Sequence, residues 1–167
     1  IRWELAQIAR DRGQRGRAGE HLARIRERAP GSPGPSALEA LIAHQEDPGR
    51  APADPPDLTE SDWGSPEVVA WVARALRAAG DLAKARGILE GLLLRYPGHP
   101  EGELEWGALH LDGRDPGEAG RWLQGVVDRH PHWLAALVLF GRLLAETGRA
   151  GEARDYLERA VAADPDN

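Results

Sequence analysis

His130-Pro131-His132, with Asp128 just before it, is the group in this sequence that most invites a metal. Imidazole and carboxylate are ordinary zinc donors, but a structural site needs a closed set of ligands, and the proline between the histidines reads as the stop of a helix. The group is therefore expected to be a polar turn, as is His99 at the corresponding place earlier in the chain. Asp54, Asp57, Glu60 and Asp62 cluster too, yet their spacing does not match the calcium loop D-x-[DN]-x-[DN]-G, and the prolines among them suit a solvated linker. Glu101, Glu103 and Glu105 alternate, so they cannot all share one helix face and do not supply the converging carboxylate pair of a hydrolase. His110 falls at a packed position, where an imidazole needs a hydrogen-bond partner or titrates; a satisfied core histidine is expected. The chain has no cysteine, hence no thiol nucleophile, disulfide framework or thiolate metal site. None of G-x-S-x-G, a Walker loop, H-E-x-x-H or G-x-G-x-x-G occurs. The residues thus predict no enzyme, no metal and no cofactor.

Composition narrows the class further. Over 167 residues, 41% apolar and 29% charged content is enough aliphatic material for a packed core and argues against wholesale disorder. A formal net charge of -6 lacks the basic surplus that holds phosphate backbones, so nucleic acid is not an expected partner. No run approaches the roughly 18 to 20 apolar residues that span a bilayer, so membrane insertion by this segment is not expected either. The opening Ile1-Arg2-Trp3-Glu4 does not read as a signal peptide. A cytoplasmic location is expected, with a periplasmic one left open. Because the chain begins without methionine and inside a repeat, it reads as an excerpt of something longer.

What must position these residues is a repeat. Pro97, Pro131 and Pro165 recur every 34 residues, and so do Ala85, Ala119 and Ala153, then Leu89, Leu123 and Leu157, then the small residues Ala73, Gly107 and Gly141. Four columns in one register imply units of two antiparallel helices, with small residues at the closest approach and Val72, Trp106 and Phe140 filling the space beside them. Each proline stops a second helix, Pro66 and Pro100 suit a first helical turn, and Asp115-Pro116-Gly117-Glu118 reads as an N-cap with an acid three residues on. Full units are expected at 66–99, 100–133 and 134–167. A unit lacking its start is expected at 1–32, carried by Leu5, Ala6, Ala9, Gly13, Ala18, Leu22, Ile25 and Pro30. The segment 33–65 reads as a degenerate unit, in which the prolines between Asp47 and Asp57 bar a second helix and leave an exposed linker. Leu58 to Trp63 are expected to form a short turn of helix that lays both side chains over the gap. Seven to nine helices and no sheet follow.

This pattern resembles the tetratricopeptide repeat family, over about residues 66–167 and more loosely over 1–32. The likeness implies an all-α right-handed superhelix that binds other proteins along the concave surface of its first helices. It departs from the family pattern at His110 and at Gly87, Gly91, Gly120 and Gly125 within second helices, each glycine costing roughly 0.5 to 1 kcal/mol against alanine. The implied concave surface comprises Trp3, Gln7 and Arg10, then Ala70, Arg74 and Arg77, then Leu104, Ala108 and Leu111, then Val138, Arg142 and Ala145. The alternative is that these residues simply meet water or neighbouring units. Arginines beside apolar patches suit an acidic extended peptide or an amphipathic partner helix, and exposed repeat ends leave self-association open. Family members that clamp a terminal carboxylate use lysine and asparagine; Ala70, Arg74, Glu105, Ala135 and Leu139 stand there instead, and the sole asparagine is Asn167. A chaperone-tail receptor is not expected.

A narrower likeness runs to the bacterial lipopolysaccharide assembly protein B family, through Glu4-Leu5-Ala6, Ser65-Pro66-Glu67-Val68-Val69, Arg114-Asp115, Glu118-Ala119 and Arg129-His130-Pro131. It implies a cytoplasmic regulator of envelope assembly, although that family's membrane anchor and cysteine metal motif do not occur in this sequence. An accessory domain of a larger enzyme is the third class.

Overall fold

The computed structural model describes residues 62–163 without a break and, before them, only Glu20, Ala23, Arg24, Glu27 and Leu58. Trp3, Gln7, Arg10, nearly all of the repeat expected at 1–32 and of 33–65 with its proline-rich stretch, and Pro165 lie outside the described residues. Six α-helices follow a 3-10 turn at Asp62–Gly64: α1 Pro66–Ala78, α2 Leu82–Arg95, α3 Pro100–Asp112, α4 Pro116–Arg129, α5 Leu134–Glu146 and α6 Ala150–Ala163. No strand is present among the described residues. The chain divides into two compact units, Ile1–Arg95 and Tyr96–Asn167.

In the first unit, Pro66 opens α1, where its missing N–H is no loss, and Asp81 Oδ1 accepts the Lys84 backbone N–H at 3.0 Å to start α2. That N–H holds the Asp81 carboxyl below the ordinary carboxylate range. Ala73, Ala85 and Leu89 have no exposed surface, as their columns require. Gly91 has a local reason to lack a side chain. The Trp63 ring from the 3-10 turn lies across it, so that a Cβ there would stand 2.7 Å from Cη2, and the Arg95 guanidinium covers the same ring at 4.3 Å.

In the second unit, His99 Nδ1 accepts the Gly102 N–H at 3.2 Å and Pro100 follows at the first turn of α3, while Asp115 Oδ1 accepts the Glu118 N–H at 3.2 Å to open α4. The helices then pair by close contact. A Cβ on Gly107 would meet Leu123 Cγ and Cδ2 at 2.8 Å, and one on Gly141 would meet Leu157 Cγ and Cδ2 at 2.9 Å. Glycine is thus set by the approach of the second helix, not by backbone conformation. One continuous core joins Leu104 and Leu111 of α3, Leu123 and Val126 of α4, and Leu137 and Phe140 of α5. Each such side chain contributes roughly 1.5 to 3 kcal/mol by leaving water.

Three turns close the helix pairs in the same way. The N–H groups of Asp81, Asp115 and Arg149 reach back to the carbonyls of Leu76, His110 and Leu144 at 2.9, 2.9 and 2.8 Å, the Schellman pattern. The residue before each donor is left-handed: Gly80 (φ 84), Arg114 (φ 59) and Gly148 (φ 80). Arginine at the middle one costs about 1 kcal/mol relative to glycine. Gly113, one residue earlier, has an ordinary negative φ of -74 and does not serve that purpose.

Candidate functional site

Helices α3 and α5 begin 34 residues apart and each is 13 residues long, yet they stand differently toward solvent. Helix α3 is buried on almost every side, including Glu103, Glu105 and His110. Its polar groups are matched. The Glu103 carboxylate meets the Arg129 guanidinium, and His110 Nδ1 lies 3.5 Å from Asp115 Oδ2 with its ring edge-on to Trp106 at 5.3 Å. Helix α5, richer in leucine, buries Leu137, Phe140 and Leu144 and leaves a stripe open at Val138, Arg142 and Ala145.

This arrangement changes the expected lining. Leu104, Ala108 and Leu111 are interior residues at 0%, 0% and 4% exposure, so they do not form an open strip; Leu104 and Leu111 are covered by the packing of α4 and α5 in their own core. Ala70 is buried as well, and Arg74 and Arg77 are half-buried in the first unit. Of the described positions, Val138, Arg142 and Ala145 are the expected lining residues that face solvent in the second unit.

Arg142 is not an idle cation. Its Nη2 donates to Asp112 Oδ1 at 2.8 Å, tying α5 to the end of α3, and its Nε lies 3.3 Å from Glu146 Oε1 one turn on. Beside this fork is a cavity of about 550 Å³ lined by Leu111, Asp112, Arg114, Arg142, Glu146 and Thr147, within the size range of small ligand sites. Thr147 turns its hydroxyl inward to the Leu143 and Leu144 carbonyls, at 2.9 and 3.1 Å, and so helps end α5. A second, apolar cavity of about 510 Å³ lies along α6 between Ala145, Ala153, Leu157 and Val161.

His99 and His130 have structural employment. With Nδ1 of His99 accepting the cap bond, its ring proton belongs on Nε2, 3.6 Å from Glu101 Oε2. His130 ends α4 and packs edge-on to Trp133 at 5.8 Å, while Arg159 Nη2 donates to the Pro131 carbonyl at 3.0 Å. Among the described residues no three His, Cys, Asp or Glu side chains converge as metal ligands would. Nor is any described helix long and apolar enough to cross a membrane.

Two family models described as Tetratricopeptide repeat match the sequence, one over residues 73–132 and the other over 110–167, together more than half of the chain. The chain belongs to the tetratricopeptide repeat family. Solved structures agree on the fold. "Functional Characterization of Pseudomonas Aeruginosa pilF" shares 16% identity at TM-score 0.55, with 97% of this chain and 74% of that chain covered. "MamA RS-1 ArsTM double mutant" shares 22% at TM-score 0.52, covering 87% and 75%, and "Crystal structure of MamA protein" shares 12% at 0.50, covering 99% and 91%. No curated protein matches in sequence. At these identities the structures speak for an all-α tetratricopeptide fold alone, and none of them carries the narrower likeness to lipopolysaccharide assembly protein B.

Proposed function

We propose that this tetratricopeptide repeat chain is a non-enzymatic scaffold that binds a segment of another protein, an extended acidic peptide or an amphipathic helix, against the open face of α5 and the adjoining end of α3. Membership of a protein-interaction family supports the scaffold. The observation that carries the location is the pairing of an exposed aliphatic residue, Val138 at 42%, with Arg142 one turn away at the mouth of the 550 Å³ cavity. An apolar contact beside a fixed charge suits helix-in-groove or extended-peptide recognition.

Val138→Asp tests it. The substitution lies on an open surface and should leave helix content and melting unchanged, while a charge placed in an apolar contact should remove the partner. Affinity capture from the source cell with wild-type and variant protein, followed by quantitative comparison, should show one or more proteins lost from the variant. An identical set of captured proteins contradicts the assignment of this face.

A further inference from the structure

The second unit contains seven arginines, and six have an acceptor: Arg121 on Glu118, Arg129 on Glu103, Arg142 on Asp112 and Glu146, Arg149 on Glu152, Arg154 on Glu158, and Arg159 on the Pro131 carbonyl. Arg114 is the exception among the described residues. It is also the residue held at φ 59 in the turn whose two counterparts are glycines at φ 84 and 80, and it lines the cavity beside Arg142. A side chain kept at a left-handed position that glycine fills more easily, without an internal partner, points outward for its purpose.

We propose that Arg114 is the anion-recognising residue of this cavity and takes a carboxylate from an acidic peptide of the partner protein. The inference rests on the α5-face reading above and names its polar subsite. The cavity carries four charged side chains, Asp112, Glu146, Arg114 and Arg142, and both carboxylates are committed to Arg142. Arg114 is left as the unengaged charge, an exposed guanidinium with a planar fork that matches a carboxylate with two parallel hydrogen bonds. Leu111 supplies the apolar wall behind it. A polyanion is a poor fit, because Asp112 and Glu146 line the same cavity on a chain of net charge -6. A single acid on an otherwise apolar peptide meets the guanidinium without crowding them.

The test uses the full chain, labelled for detection of arginine side-chain N–H signals, and three matched helical peptides of alanine and leucine carrying glutamate, glutamine or lysine at their polar positions. The glutamate peptide should move the Arg114 Nε–H signal and bind about tenfold more tightly than the glutamine peptide, the scale of one charge-assisted contact. Arg114→Gly should bind the glutamate peptide about tenfold more weakly while melting at a higher temperature, because glycine relieves the turn. Arg114→Lys should recover part of the binding, and Arg154→Ala on α6 should bind like the wild type. A purely structural arginine would not move stability and binding in opposite directions. Equal binding of the glutamate peptide by wild type and Arg114→Gly, or equal binding of the glutamate and glutamine peptides, overturns the assignment. If the peptides shift amides from Val138 to Glu146 but leave Arg114 unmoved, the subsite is wrong and the α5 face stands. If no peptide shifts either, both fall.

Discussion

Leu104 and Val138 occupy the same repeat position in α3 and α5, as do Ala108 and Arg142, yet the first of each pair is fully buried and the second open. The register therefore specifies which residues lie on a given face, and the neighbours decide whether that face meets water. Polarity is misleading at the same places. Glu103, Glu105 and His110 sit in the buried helix, whereas α5 carries Leu137, Leu139 and Leu144 at the matching positions. A carboxylate is tolerated inside α3 because Arg129 reaches it from α4, and an imidazole because Asp115 and Trp106 bracket it.

Substitutions at matched positions should break this contrast if it is wrong. Leu104→Ala removes a fully buried side chain from the core and should cost about 2 to 5 kcal/mol, whereas Val138→Ala should change stability by no more than about 0.5 kcal/mol. Urea unfolding of the two variants compares them directly, and similar losses would contradict the assignment of inside and outside. Ala119→Leu, at a packed position of α4, should cost about 1 to 3 kcal/mol through overpacking, seen as a lower thermal midpoint.

The polar half of the comparison has a smaller scale. Arg129→Ala would strand the Glu103 carboxylate, whose side chain is 9% exposed, but its guanidinium is half exposed at 52%, so a loss of about 1 to 2 kcal/mol is expected. Glu103→Gln in the same background should return part of it, and a double-mutant cycle by denaturant titration measures the coupling. In the first unit the effect is smaller still and has a sign. The Asp81 carboxyl is held below its unfolded value, so its contribution is complete above that value and disappears as pH falls through the lower folded one. Asp81→Asn should flatten that part of the acid-side melting curve and leave stability near neutrality little changed.

Much of this was legible in the residues and some was not, for physical reasons. The helix starts at Pro66, Pro100 and Asp115 depend on nearest neighbours, and the glycine column follows from the leucine opposite it, so spacing alone reveals both. The purpose of Gly91 depends on Trp63, outside its helix pair, and a helical glycine without that contact looks like a defect. His99 reads as a loop histidine until its Nδ1 is seen to cap α3. The turn at Arg114 escapes because Gly113 stands beside it, and the sequence invites the left-handed residue to be the glycine. Of the expected lining, Val138, Arg142 and Ala145 face solvent, while Leu104, Ala108 and Leu111 do not, since burial by a neighbouring helix leaves no mark on the residues themselves.

The absence of cysteine makes one measurement especially direct. Single substitutions Leu104→Cys, Val138→Cys and Arg154→Cys report the interior of α3, the open face of α5 and an exposed control on α6, through the rate of thiol alkylation in the free protein and in complexes captured from the source cell. In the free protein, positions 138 and 154 should react readily and position 104 should be protected. In the captured complex, position 138 should become protected while 154 stays reactive. Ready reaction at position 104 in the free protein, or position 138 remaining as reactive as 154 in the complex, would contradict the claim that the partner covers the open face of α5.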